Sequence, residues 1–244
     1  DGVQLHGAHG YLLSRSISPR HNRRKDAFGG DFEGRLALLE AVYARVRAAV
    51  GDDFPVIIKL NAHDGRPGKG SEGLKVEEAI EIGRRLEAWG IDAIEVSAGT
   101  GDEGLGFYPN RGDIPVDLSK RFLAREMPFL KGVLPALGPI LRQAAKKVAL
   151  EEEAYFLPIA RRFAQALKVP IIAVGGFRSL ALAERALQEG VAMVALARPL
   201  VAQPDLPRRW REGRVQQASC TSCNRCFLQV GLGEPLRCTG LGSR

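Results

Sequence analysis

The chain has 244 residues, enough to bury a substantial core, and its 45% apolar and 26% charged content is that of an ordinary globular protein. It holds no run of eighteen apolar residues and no segment resembling a signal peptide, so it reads as a soluble, cytoplasmic protein with no membrane partner. The net charge of +7 favours acidic or phosphorylated ligands, but Lys and Arg are dispersed rather than gathered in one block, which argues against a nucleic-acid surface.

The first element is an apolar strand, Val3 to His6, after which Gly7 and Gly10 allow the backbone to turn. His6, His9 and Tyr11 therefore stand at a strand exit. Side chains alternate faces along a strand, so two histidines three apart converge only where the strand has ended. Such a pair can donate hydrogen bonds to one carbonyl oxygen, and a nearby phenol, protonated at neutral pH, can donate a proton. Two other readings stay open: loop residues satisfied by neighbouring backbone, or two ligands of a metal-dependent hydrolase that would need a third.

A polar loop follows over Ser14 to Asp31, then an amphipathic helix with Leu36, Leu39, Tyr43, Val46 and Val50 on one face. The run PVIIKLN, Pro55 to Asn61, has strand length. A helix over about Val76 to Trp89 leads through Gly90 to a strand over Asp92 to Gly99. Residues Thr100 to Leu150, broken by glycines and prolines, read as an excursion with short helices. The alternation then resumes with a helix over Glu151 to Leu167, a strand over Pro170 to Gly176, a helix over Leu180 to Gln188 and a strand over Ala192 to Ala197.

Apolar strands that each lead into a helix imply an α/β protein with a parallel sheet covered on both faces. Five strands suit an open doubly wound sheet, or part of a (β/α)8 barrel with its chemistry at the C-terminal strand ends. The barrel reading leaves three strands unaccounted for and implies that an N-terminal portion of the natural protein precedes Asp1.

All four cysteines, Cys220, Cys223, Cys226 and Cys238, fall in the last 25 residues as C-x2-C-x2-C with a fourth after eleven residues. Four thiolates so spaced suit a [4Fe-4S] cluster or a structural zinc. A zinc-stabilised binding protein is the corresponding non-enzymatic reading. The organisation expected is a barrel portion over residues 1–213 and a Cys-rich segment over 214–244.

The stretch HGAHGYLLSRSISPRHNRRKDAFGGDFEGR, His6 to Arg35, resembles the fourth-strand signature of the Old Yellow Enzyme, or NADH:flavin oxidoreductase, family. The match takes in the histidine pair, Tyr11, Ser18-Pro19, Asn22, Arg24, Asp26, Gly29-Gly30, Glu33 and Arg35. PVIIKLN, EVSAGT, VGGF at Val174 to Phe177 and ALARPLVAQPDL from Ala195 extend it, while Gly106 to Ala149 diverges. The resemblance implies an FMN-containing (β/α)8 TIM barrel of which this chain holds strands four to eight. It also implies NAD(P)H as co-substrate and reduction of the C=C bond of an α,β-unsaturated carbonyl compound. In that reading His6 and His9 hold the substrate oxygen, Tyr11 donates the proton, and Lys59 lies beside the flavin pyrimidine ring. Gly175, Gly176, Ala197 and Arg198 form the phosphate site, where Ala197 replaces a glycine of some relatives and puts a methyl group at the close approach. The cysteine spacing resembles the iron–sulfur segment of the 2,4-dienoyl-CoA reductase branch. Asn22, Arg24, Asp26 and Glu33 read as a structural lattice within their loop. The partner implied is a small enone or enoyl molecule, with self-association left open.

Overall fold

Five short runs of β-branched and aliphatic residues each precede helical segments, and in the computed structural model they form one sheet. Residues 1–65, 73–100, 116–147 and 152–240 are described. Strands β1 (Val3–Gly7), β2 (Val56–Asn61), β3 (Ala93–Ser97), β4 (Ile171–Val174) and β5 (Met193–Ala195) are all parallel, and each pairs with the next in sequence. A doubly wound sheet reverses its strand order at a switch point, whereas a barrel adds every strand on the same side of the last. The observed order β1-β2-β3-β4-β5 has no reversal, and the fold is the α/β type of a (β/α)8 barrel.

Alternation along the strands sets the two faces of the sheet. Leu5, Val56, Ile58, Leu60, Ile94, Val96, Ile171 and Ala173 are buried on one of them. The other carries Gln4 and His6 on β1, Lys59 on β2 and Glu95 on β3, with His6, Lys59 and Glu95 opposite one another in register. The helices α1 (Leu12–Ile17), α2 (Phe32–Val50), α3 (Val76–Trp89), α4 (Val116–Glu126) and α5 (Gly138–Lys147) come next, the last two joined through a single 3₁₀ turn at Pro128–Leu130. Then come α6 (Leu157–Ala166), α7 (Leu180–Gln188), α8 (Arg198–Ala202), α9 (Leu206–Arg211) and α10 (Arg225–Gly231). Helix α2 buries Leu36, Leu39 and Tyr43, and α3 buries Ala79, Ile80, Ile82, Gly83 and Leu86. A Cβ on Gly83 would stand 2.6 Å from a Leu167 methyl, which explains a glycine inside a helix.

The polar loop read from Ser14 begins instead with α1, which buries Ser14 and Ile17. Six residues with one buried turn carry too little periodicity to be read from sequence. Val50 closes α2 exposed rather than on its buried face, because Gly51 at φ 84° ends the helix there. The helix expected from Glu151 starts at Leu157 with Pro158 in its first turn, where a proline's missing N–H costs nothing. Of the excursion, residues 101–115 and 148–150 lie outside the described residues, as does residue 151 of the expected helix.

Two compact units emerge. The first consists of described residues within Asp1–Phe107, Phe156–Gly175 and Arg185–Ala195 and contains the sheet. The second comprises those within Tyr108–Tyr155, Gly176–Glu184 and Leu196–Arg244, so the Cys-rich segment belongs to a unit that starts well before residue 214. No helix among the described residues is long and apolar enough to cross a membrane.

Candidate functional site

In the first unit β1 ends at Gly7, and the chain turns through His9 at φ 62° and Gly10 at φ 77°. A Cβ on Gly10 would fall 1.8 Å from the Thr100 carbonyl oxygen, so glycine is required by both torsion and space. His9 is held in its left-handed conformation by its N–H, which donates to Asn61 Oδ1 at 3.1 Å. Asn61 is itself fixed, its amide donating to the Gly99 carbonyl at 2.7 Å and to Ser14 Oγ at 3.2 Å. His9 Nε2 meets Ser97 Oγ at 2.7 Å.

This curl brings the three sequence candidates together. The His6 and His9 rings lie 5.2 Å apart and nearly perpendicular, and the Tyr11 ring lies 4.8 Å from that of His6. Tyr11 is 61% exposed, so its hydroxyl is open to an incoming molecule. The Ala8 N–H donates to His6 Nδ1 at 3.3 Å, which assigns the proton of the neutral ring to Nε2.

Both imidazoles are kept neutral. Burial pushes His9 down to about 4, aided by the Lys59 cation and by His6. Partial burial, then Lys59, lowers His6 as well. Neutral rings donate hydrogen bonds without surrendering a proton, which suits a pair that steadies charge growing on an oxygen.

Lys59 is less simply placed than its position in the motif implies. Its ammonium pairs with the Glu95 carboxylate, which is 6% exposed, and Glu95 also accepts from Gln4 Nε2 at 2.6 Å. Three adjacent strands thus share one polar network on the sheet face that carries His6. Gln4, Glu95, Asn61 and Ser97 were not singled out from the sequence. Glu95 had a usable signal, a lone carboxylate in the otherwise apolar strand AIEVS, since acids are seldom buried without a partner.

Asn22, Arg24 and Asp26 bond within their loop as expected, whereas Glu33 stands on α2 and pairs outward with α3. Asn22 Nδ2 donates to the Ser16 and Phe28 carbonyls at 2.6 and 2.8 Å, Arg24 pairs with Asp26, and Glu33 pairs with Arg85 at 2.6 Å.

The phosphate-site candidates begin where β4 ends. Gly175 at φ 117° ends one stretch of the first unit, and Gly176 at φ 79° opens the next stretch of the second. A Cβ on Gly176 would meet the Tyr155 ring at 2.7 Å. Just beyond, Glu153 caps the start of α7, accepting from the Arg178 N–H at 3.1 Å, the Ser179 N–H at 3.0 Å and the Ser179 hydroxyl at 3.1 Å. This acid, from a distant segment, was also missed. Ala197 precedes α8 at φ −119° and ψ −80°. Arg198 is the first residue of α8, and its Nη1 donates to Asn224 Oδ1 and to the Ser222 carbonyl at 3.4 Å.

Cys220, Cys223, Cys226 and Cys238 are free thiols, half-buried, and all four line one cavity of about 20 Å³ together with Arg198, Ser222 and Asn224. Ser222 and Asn224 adopt φ of 58° and 60°, two left-handed residues that curl the loop and turn its cysteines inward. Burial pushes the Cys226 thiol up, while the Phe227 N–H and Arg198 oppose it. Among the described residues no group of three His, Cys, Asp or Glu side chains stands ready to hold a single metal ion. That applies both to these cysteines and to His6 with His9.

Residues 1–100 match the family described as NADH:flavin oxidoreductase / NADH oxidase. The chain is 34% identical over 234 residues to a 4,4'-dithiodibutanoate disulfide reductase of Rhodococcus erythropolis, covering 96% of this chain and 55% of that protein. It is 33% identical over 243 residues to an NADH oxidase of Thermoanaerobacter brockii, covering 98% of this chain and 31% of that one. The chain therefore spans about a third to a half of the length of these curated relatives. A 2-naphthoyl-CoA reductase structure superposes with a TM-score of 0.70 at 26% identity, over 97% of this chain and 30% of that one. An old yellow enzyme homologue from Zymomonas mobilis gives a TM-score of 0.57 at 22% identity, over 90% of this chain and 48% of that one, a likeness of fold. The segment that carries the histidine pair, residues 1–100, belongs by this match to the NADH:flavin oxidoreductase / NADH oxidase family, and the relatives over nearly the whole chain and the barrel-type sheet agree with it.

Proposed function

We propose that the protein carrying this chain is an FMN-dependent, NAD(P)H-driven oxidoreductase that reduces the C=C bond of α,β-unsaturated carbonyl compounds. The convergence of two neutral imidazoles with an exposed phenol at one strand exit carries this reading. His6 and His9 hold the carbonyl oxygen of the substrate and favour the negative charge that gathers there as the conjugated bond is reduced. Tyr11 delivers a proton to the α-carbon, a step in which a positioned acid contributes about 10² to 10⁴ in rate.

Each unit holds residues of a kind that FMN uses. In the first, Lys59 puts a cation on the sheet face that carries His6, and Gly175 presents its backbone in a torsion closed to bulkier residues. In the second, Gly176 does the same and Arg198 offers a guanidinium suited to a phosphate. FMN supplies the hydride, which it draws from NAD(P)H. Glu95 and Gln4 fix the Lys59 ammonium, while Asn61 and Ser97 fix the His9 ring, so the donors need little reorganisation when substrate arrives.

The four cysteines around one cavity are the thiol set that a [4Fe-4S] cluster takes, and that is the reading adopted for them. The natural-length protein, purified anaerobically, should show flavin absorption that bleaches on adding NADPH, with a broad residual shoulder from iron and sulfur. A colourless protein would sink the FMN reading.

A further inference from the structure

Arg198, read as a phosphate ligand, and the cysteine loop, read as a metal site, are joined in this fold. Arg198 Nη1 donates to the Asn224 side chain and to the Ser222 carbonyl, and both residues alternate with cysteines in C-T-S-C-N-R-C. Ser222 is 7% and Asn224 8% exposed, so these acceptors lie in the wall of the loop and not on a mobile surface.

A long guanidinium side chain on a five-residue helix starts with many rotamers, and fixing it costs rotamer entropy. Two acceptors on one Nη1 select a rotamer before any ligand arrives. Both acceptors are neutral, which matters equally. A carboxylate at position 224 would hold the guanidinium and oppose its charge, whereas an amide oxygen and a backbone carbonyl orient it and bring no charge of their own. The left-handed torsion of Asn224, φ 60°, aims its side chain back into the loop, and asparagine is among the few residues that tolerate that conformation.

We propose that Asn224, aided by the Ser222 carbonyl, is the positioning residue for Arg198, and that the cysteine loop thereby forms the back wall of the site for the flavin nucleotide's phosphate. This rests on the assignment of Arg198 to that phosphate. It assigns to the cysteine segment a role in nucleotide binding that is independent of whether a metal passes electrons there.

The test compares FMN with riboflavin, which lacks the phosphate, on deflavinated natural-length protein. Asn224→Gly is the informative variant, because glycine accepts φ 60° while removing the side-chain acceptor. It is measured beside Arg198→Ala and the double variant. FMN affinity should fall roughly tenfold in Asn224→Gly, the cost of a lost hydrogen bond to a charged group, with riboflavin affinity unchanged. The double variant should bind FMN no more weakly than Arg198→Ala alone, since Asn224 acts through Arg198. An Asn224→Gly protein with wild-type FMN affinity, while Arg198→Ala has lost the preference for FMN, overturns the positioning role and leaves the phosphate assignment standing. Equal losses of FMN and riboflavin in Asn224→Gly, or fully additive losses in the double variant, overturn it too. If Arg198→Ala keeps the wild-type preference for FMN, the phosphate assignment falls and takes this inference with it.

Discussion

The histidine corner and the cysteine loop solve the same problem, holding polar groups in a fixed array, by opposite means. The corner stands on three strands in register: His6, Lys59 and Glu95 face one another because β1, β2 and β3 pair residue for residue, and the turn that follows is locked by Gly10 and Asn61. The cysteine loop is not part of any strand of the sheet. Its form rests on two left-handed residues, on the short helix α10 and on side-chain bonds such as those to Arg198. A site on a sheet inherits the rigidity of the ladder, whereas a site on a loop depends on each local bond, so single substitutions should injure the two in different ways.

The sharpest contrast lies in catalysis. Tyr11→Phe in the natural-length protein should lower the rate of enone reduction by about 10² to 10⁴ while leaving bound FMN and its reduction by NADPH intact, as read by stopped-flow absorbance of the two half-reactions. The cysteine loop should show no such split between half-reactions when Thr221, whose hydroxyl has no part in the proposed chemistry, is replaced by Ser.

The next effect probes the ladder. Glu95→Leu removes the carboxylate and leaves the Lys59 ammonium, 19% exposed, without its partner. A loss of roughly 3 kcal/mol is expected in urea unfolding, with Glu95→Gln less harmful because it still accepts from Gln4 or Lys59. Equal stability for wild type and Glu95→Leu would mean that the network is not what fixes the corner.

Titration is gentler. His9 is depressed in the folded state to about 4 and returns to the usual value near 6.5 on unfolding. Between those values the unfolded chain binds the extra proton, so the stability His9 confers is complete above about pH 6.5 and is lost as the pH falls through 4. The corner should then contribute a decline of up to about 3 kcal/mol across that interval, and His9→Gln should flatten this part of the pH profile. Smallest of all should be Arg84→Ala, which breaks an exposed pair with Glu81 on α3; a change within about 0.5 kcal/mol is expected and serves as the baseline for the rest.

Much of this was readable in the sequence, and the reasons are local. Helix α3 falls on Val76–Trp89 and α7 on Leu180–Gln188 because apolar periodicity and a following glycine mark them. The strands are continuous apolar runs, as buried parallel strands must be. The convergence of His6, His9 and Tyr11 follows from a strand that stops at Gly7 with glycine three residues on. Helices α1, α8, α9 and α10 escaped because each has only five to seven residues, too few to display a period.

By itself, then, the sequence determined the order of strands and helices, the strand-exit trio and the grouping of four thiols, all of which are properties of neighbouring residues. Tertiary structure alone decided that Lys59 faces Glu95 and Gln4, that Asn61 and Ser97 hold His9, that Glu153 caps α7, and that Arg198 is tied to Asn224. Those pairs lie between 26 and 91 residues apart in the chain. Their partners are chosen by strand register and loop closure, which no local pattern of side chains encodes.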